Sequence, residues 1–373
     1  MFDFIIWNGS PEIFSIGAFA LRWYGLLFAL GFLVCQQILY YIYKQEGKPE
    51  RDVDTLTIYM LVATILGARL GHIIFYQPEI IWQEPLGVFL PFEFNPFRFT
   101  GLQGLASHGA AIGILFGLWL YSRKRKPGQN YLQVLDRIVI LVCLTGCFIR
   151  LGNFFNSEII GKPSSNPLSV VFVNRVTESI MRNDNGQNPV EYLEIKAANL
   201  PEGQNSRVPL DLIILFKKGS EEKRAINFIN QEVKFYLTSL NEFIDEPTGS
   251  PIQYQMVKED DGSFSARVRT FGIARHPAQL YESISCFLLF AFLLWYWSRY
   301  KANLPEGRIF GMFMIILWSL RFAYEFLKEN QVSFEDQMTL NMGQILSIPL
   351  VVVGVLVLLR SYRNTSNEIQ NAP

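Results

Sequence analysis

Charge is scarce in this 373-residue chain: only 18% of its residues are Asp, Glu, Lys or Arg, against about 25% in an ordinary soluble domain. Neither sign is in excess, since 33 Lys+Arg meet 33 Asp+Glu, and the missing basic surplus argues against a nucleic-acid binder. Cysteine is equally sparse. The four present, Cys35, Cys143, Cys147 and Cys286, all fall inside apolar runs, which rules out a disulfide-rich secreted scaffold. Disorder requires low hydrophobicity, whereas half of this chain is hydrophobic and it holds 31 Phe.

The charges are unevenly spread. Residues 163–273 hold 12 Lys/Arg and 15 Asp/Glu, a density of about 24%, as in a soluble domain. Elsewhere the chain alternates long apolar runs with short charged loops. A spanning helix needs roughly 20 mostly apolar residues, and seven segments meet that description: about 18–43, 54–76, 104–121, 131–154, 277–298, 309–327 and 343–360. The first has no basic region ahead of it and is too long for a cleaved signal peptide. The expected architecture is an all-α polytopic membrane protein of seven transmembrane helices with a water-soluble insert between the fourth and fifth.

Short-loop charges give the orientation. Lys44, Lys48 and Arg51, Arg123–Lys126, Arg299, Lys301 and Arg308, and Arg360 and Arg363 lie on one side; Arg98 and Lys328 lie on the other. The positive-inside rule therefore predicts an N-terminus outside, a C-terminus in the cytoplasm and an extracytoplasmic insert. The layout is 1–162 (four helices), 163–273 (the insert) and 274–373 (three helices and a tail). Within the insert, Val190–Ile195, Pro209–Phe216, Glu232–Thr238 and Phe264–Val268 are rich in β-branched and aromatic residues. They are separated by Asn185-Gly186, Lys218-Gly219 and the hairpin candidate Asp261-Gly262, and together they predict a β-rich domain. Small-residue ladders, Gly67/Gly71 and Gly109/Gly113/Gly117, predict close helix packing in lipid.

Ionisable residues at membrane depth are functional suspects, because each costs on the order of 2.5–3.5 kcal/mol on insertion scales. They are Arg22 and Tyr24, Arg69 and His72, His108, Arg150, His276 and Glu282, and Arg321 and Glu325. Given the predicted direction of each helix, nearly all converge on the outer leaflet. Arginine forks hold phosphate bidentately, and a neutral His is a candidate general base, so the set points to chemistry on, or passage of, an anionic lipid. Plainer readings stand beside this one. Arg22 and Arg69 also suit snorkelling anchors, and His276 before Pro277 suits a helix start. Glu325, one turn from Arg321, suits an ion-pair partner. Asp136 and Arg137, at the cytoplasmic start of the fourth span, suit a solvated or a helix-dipole role. Cys143 and Cys147 have no further ligand on their helix and read as packing.

The strings themselves resemble the prolipoprotein diacylglyceryl transferases of bacterial inner membranes. They are LRWYG at 21–25, GARLGHIIFY at 67–76, LASHGAAIG at 105–113, RLGNFFNSEIIGK at 150–162, RHPAQLYE at 275–282, RFAYE at 321–325 and MGQILSIP at 342–349. They run in family order and cover nearly all the membrane part. The resemblance implies a seven-helix inner-membrane transferase, its active site facing the outer leaflet, that acts in the first step of lipoprotein maturation. It would move the diacylglyceryl group of phosphatidylglycerol to the lipobox cysteine of a preprolipoprotein, forming a thioether and releasing glycerol 1-phosphate, with no cofactor and no metal. It implies that His108 and Tyr24 occupy the family's essential His and Tyr. Arg150, Asn153, Glu158 and Gly161 would match its phosphatidylglycerol-binding signature, and Arg321 and Glu325 a second arginine with its acidic neighbour. Three positions depart: Ala110 and Ser157 stand where Gly is usual, and Leu317 stands where some members carry a functional Tyr. The 163–273 insert is longer than in many members and reads either as a cover or docking surface for the lipoprotein or as a tolerated elaboration.

Rival classes fit less well. A transporter would show inverted repeats and broken helices at the midplane, a protease would show a Ser/His, paired-Asp or zinc constellation, and a scaffold would not need deep arginines gathered in one leaflet.

Overall fold

The computed structural model describes residues 4–16, 19–83, 92–94, 97–99, 106–182, 188–198, 206–329, 335 and 337–370. Three short strands, β1 (Ile5–Trp7), β2 (Glu12–Ile16) and β3 (Phe19–Arg22), precede the helices α1 (Trp23–Gln45) and α2 (Arg51–Tyr76). A single turn, α3 (Ile80–Gln83), and the paired strands β4 (Phe92–Phe94) and β5 (Phe97–Phe99) lead to α4 (Ser107–Ser122) and α5 (Tyr131–Phe155). Next come β6 (Val170–Phe172), α6 (Asn174–Met181), β7 (Val190–Ala197) and β8 (Arg207–Phe216). The helices α7 (Glu222–Phe228) and α8 (Lys234–Ser239) flank a π-helical turn and are followed by β9 (Gln253–Lys258) and β10 (Phe264–Arg275). The chain ends with α9 (Ala278–Tyr300), α10 (Arg308–Tyr324) and α11 (Met342–Gln370).

Among the described residues, five helical segments are long and apolar enough to cross a membrane: Trp23–Gln45, Arg51–Phe75, Tyr131–Phe155, Ala278–Asn303 and Met342–Asn364. The other two expected spans are shorter. α4 has 16 residues, the predicted start of its span at 104 lying outside the described residues, and α10 has 17.

The chain divides into two compact units. The first comprises Met1–Leu30, Gly146–Cys286 and Ser319–Ile348, the second Gly31–Thr145, Phe287–Trp318 and Pro349–Pro373.

In the first unit a six-stranded sheet runs in the order β1-β6-β10-β8-β7, with β9 also paired to β10. Inward residues alternate along its long strands: Val208, Leu210, Leu212, Ile214 and Phe216 are buried on β8, and Ala266, Val268 and Thr270 on β10, the period of two that a half-buried strand requires. Two differences from sequence expectation stand out. Glu232–Thr238 is helical, not a strand. Ile229, Val233 and Leu237, four residues apart, are all buried against the sheet, so helical periodicity outweighs the β-branched and aromatic composition of the run. The sheet also recruits β1, which pairs parallel with β6 from 165 residues away in sequence (Ile5 opposite Val170). The Asp261-Gly262 hairpin forms as expected: Gly262 takes φ +85°, and the Asp261 carboxylate accepts from Ser263 N at 3.0 Å. Asn185-Gly186 lies outside the described residues.

In the second unit the glycine ladders are the contact between α2 and α4. A Cβ on Gly113 would sit 2.3 Å from the Ala63 carbonyl oxygen, and one on Gly109 would sit 2.4 Å from that of Gly67. Only glycine permits this approach of two backbones. Asp136 acts on a helix end, as a dipole-related role requires: its carboxylate accepts from Gly307 N at 2.7 Å and Phe310 N at 2.8 Å, satisfying donors that open α10. Nearby, the buried Glu46 carboxylate takes Arg137 at 2.8 Å, Lys48 at 2.6 Å and the Trp297 indole at 2.7 Å. Burial alone would raise the Glu46 pKa, but these donors hold it below the usual glutamate value.

Candidate functional site

The signature string builds a helix end and the loop that leaves it. Arg150 and Asn153, three residues apart, share a face of the last turns of α5. Its two phenylalanines are packing residues: Trp7 packs on Phe154 with ring centroids 4.5 Å apart, and Trp23 stacks on Phe155 at 4.9 Å. Beyond Phe155 the chain turns back, with Ser157 and Ile159 both in the left-handed region (φ +51° and +57°). Glycine suits that region, which accounts for its usual place at position 157. Here the serine hydroxyl donates to the buried Asn174 Oδ1 at 2.5 Å. The turn brings the Glu158 carboxylate back over the helix end, where it accepts from Asn153 at 3.3 Å, from Asn156 at 3.4 Å and from Arg175 of α6 at 3.4 Å.

Gly161 is confined by backbone. A Cβ there would lie 2.5 Å from the His276 carbonyl oxygen and 2.9 Å from that of Leu327. Gly161 N donates to His276 O at 3.1 Å, and Lys162 N to Leu327 O at 2.8 Å. Three segments are thereby tied together, at 160–162, 275–276 and 327–328. His276 is accounted for as structure: its carbonyl also accepts from Ala278 N at 2.8 Å, and its own N–H donates to Lys162 O at 3.1 Å.

The two arginines belong to a chain of alternating charges. Arg150 forms an ion pair with Glu282, Nε to Oε2 at 2.6 Å. Lys328 pairs with the other Glu282 oxygen and lies 3.6 Å from Glu325 Oε1. Arg321 reaches the same Glu325 oxygen at 3.5 Å, one helical turn apart. Asn341 Nδ2 donates to Glu325 Oε2 at 3.0 Å, and Asn341 and Gln344 exchange side-chain and backbone hydrogen bonds at 2.9 and 3.1 Å as a capping box that opens α11. The carboxylates and the lysine are buried, whereas the arginine side chains remain 20% and 35% exposed. Arg150 approaches Glu282 most closely through Nε, with part of its side chain left exposed. The arrangement suits an anion with several oxygens.

Of the site residues that the family resemblance implies, all but His108 thus fall in the first unit, whereas Arg69 and His72 belong with His108 to the second. Tyr24 lies in the first, its ring contacting the Gly152 backbone: a Cβ on Gly152 would sit 2.8 Å from Tyr24 Cδ2. His108 opens α4 in the second unit, with its ring exposed and edge-on to Phe75 at a centroid distance of 5.3 Å. Glu158, of the same signature as Arg150, holds Arg175; the carboxylate on Arg150 is Glu282. Arg22 pairs with Glu12 at 3.2 Å and Glu178 at 3.7 Å. Sequence reasoning marked Glu282 as a costly charge at membrane depth but left it out of the implied site, and left Lys328 out altogether. Lys328 follows Glu325 by three residues and Arg321 by seven, a helical spacing, although α10 itself ends at Tyr324.

The Glu158 turn also walls an open pocket of about 980 Å³ in the first unit, lined by Glu12, Arg22, Glu158, Arg175, Glu178 and Arg182 among others.

A sequence profile described as prolipoprotein diacylglyceryl transferase matches residues 11–360. A phosphatidylglycerol–prolipoprotein diacylglyceryl transferase of Bacteroides fragilis is 32% identical over 354 residues, covering 94% of this chain and 93% of the relative. Proteins of the same name from Tolumonas auensis and Chloroherpeton thalassium are each 30% identical, over 96% and 98% of this chain and 97% of their own lengths. With its motifs in order and residues 11–360 matched, the chain belongs to the prolipoprotein diacylglyceryl transferase family.

Proposed function

We propose that this protein transfers the diacylglyceryl group of phosphatidylglycerol to the lipobox cysteine thiol of a preprolipoprotein, in the first step of bacterial lipoprotein maturation. The observation that carries the reading is the pair of arginines, each paired with a buried carboxylate and each still partly exposed. A free cysteine has a pKa of about 8.5 and is mostly thiol at neutral pH. His108 takes the thiol proton. The thiolate attacks the glycerol carbon that bears the phosphate, the C–O bond breaks as the C–S bond forms, and glycerol 1-phosphate departs. The phosphodiester enters with one negative charge and leaves as a monoester with a second developing. Arg150 and Arg321 bind that group and stabilise the growing charge, with Asn153, Glu158, Gly161 and Glu325 shaping its surroundings. Tyr24 positions lipid or peptide.

The proposed setting is the inner membrane, with seven spans, the N-terminus outside, the C-terminus in the cytoplasm and the chemistry at the outer leaflet. The charge asymmetry of the short loops supports this orientation. The layout is 1–162 with four spans and outer-face catalytic elements, 274–373 with three spans and a cytoplasmic tail, and 163–273 as an extracytoplasmic insert that serves as a cover or docking surface. The polar pocket beside Glu158 supports that use of the insert.

Reconstitution with phosphatidylglycerol and a synthetic lipobox peptide tests the function. Glycerol phosphate release together with a diacylglyceryl mass gain on the cysteine, both lost in His108→Ala, is the expected result; neither product appearing from wild type overturns it.

A further inference from the structure

Lysine is almost never fully buried unless paired, and the Lys328 side chain is 2% exposed. Its partners are the two carboxylates that hold the two arginines, Glu282 on Arg150 and Glu325 on Arg321. Its backbone is fixed as well, in an antiparallel bridge to Gly161, within the signature loop. One residue therefore joins both arginine anchors and the loop that follows α5, yet it offers no donor to a ligand, being enclosed by its own partners.

We infer that Lys328 is a positioning residue for the transfer reaction, setting the charge and the reach of the paired arginines. This rests on the function proposed above. Arg150, Glu282, Lys328, Glu325 and Arg321 sum to one net positive charge, the complement of a phosphodiester. Without the ammonium the cluster is neutral, and each carboxylate keeps its own arginine as its one cationic partner in the cluster. A guanidinium pulled into its carboxylate has fewer donors for a second anion. The loss weighs most where the phosphate gains its second charge, because an interaction that strengthens in the transition state acts on kcat more than on KM.

The test uses the full-length protein in phosphatidylglycerol vesicles with a lipobox peptide. It compares Lys328→Met, Lys328→Arg and the double variant Lys328→Met/Glu282→Gln, with thermal midpoints measured alongside. Lys328→Met lowers kcat at least tenfold while KM for phosphatidylglycerol changes less than threefold, and Lys328→Arg recovers most of the rate. The double variant regains the net charge, and its glutamine amide oxygen still accepts from Arg150, so it turns over faster than Lys328→Met. A packing role alone would not produce that recovery. Undiminished kcat in folded Lys328→Met overturns the inference. Should that variant not fold, a folded Lys328→Arg or double variant with kcat below a tenth of wild type overturns it equally, and kcat retained in both supports it. No turnover in wild type overturns the proposed function and the role of Lys328 with it, whereas an active wild type beside an equally active Lys328→Met overturns the role alone.

Discussion

Ser157 invites a paired substitution whose two outcomes differ in sign of cause. Its φ of +51° is a conformation that costs a side-chain-bearing residue about 1–2 kcal/mol relative to glycine. Its hydroxyl donates to the buried Asn174 Oδ1 at 2.5 Å, a bond contributing about 1 kcal/mol. Ser157→Gly removes the strain and the bond together. The lost bond, which leaves Asn174 Oδ1 without its donor at a cost of about 1–3 kcal/mol, is offset by about 1–2 kcal/mol of relieved strain, so stability falls by no more than about 2 kcal/mol. Ser157→Ala keeps the strain, loses the bond and takes from Asn174 Oδ1 its donor in a buried setting, for a loss of about 1–3 kcal/mol. The assay is the apparent thermal midpoint in detergent at one fixed scan rate, where a difference of 1 kcal/mol moves the midpoint on the order of 2 °C. The glycine variant melts above the alanine variant and keeps its turnover, because Glu158 stays in place. An alanine variant that melts at or above the glycine variant would refute the reasoning that strain, and not only the hydrogen bond, acts at this turn.

Further expectations bear on other parts of the molecule. Arg150→Lys and Arg321→Lys each lose most turnover, because a point charge does not replace a fork on phosphate; near-normal kcat/KM in either would remove it from the phosphate site. Gly113→Ala places a methyl 2.3 Å from the Ala63 carbonyl and lowers the thermal midpoint through about 1–3 kcal/mol of overpacking, while Gly25→Ala, with nothing within 4 Å of its Cβ, leaves the midpoint unchanged or slightly raised. Glu46 has its folded pKa depressed, so its stabilising contribution is complete above the ordinary glutamate range and is lost as pH falls through the lower folded value. Melting curves taken from about pH 6 down to about pH 3 should show a shallower acid loss in Glu46→Gln than in wild type.

Much of the helical part was legible because burial in lipid leaves long apolar runs, and the ladder Gly109/Gly113/Gly117 announces its own contact by spacing. The Asp261-Gly262 hairpin was legible because turn chemistry is local. Glu232–Thr238 misled because β-branched and aromatic residues fit either a strand or a buried helix face, and only the four-residue spacing of Ile229, Val233 and Leu237 separates the two. The addition of β1 to the sheet could not be read, since a three-residue strand has no periodicity and its partner is remote. Within the site, the arginines were visible as costly charges at membrane depth. Lys328 was not: it falls just past an apolar run, where a lysine ordinarily meets water, and only the folded chain shows it enclosed between Glu282 and Glu325.

The parallel pairing of β1 with β6 sets a schedule for synthesis. Ile5–Trp7 leave the ribosome first, but their partners at Val170–Phe172 follow 165 residues later, on the order of ten to thirty seconds at ordinary elongation rates. The strand that β6 in turn needs, β10, ends only at Arg275. Throughout that interval the N-terminal strand has no sheet to join, and whatever shields its exposed edge during translation acts before the enzyme's own fold can.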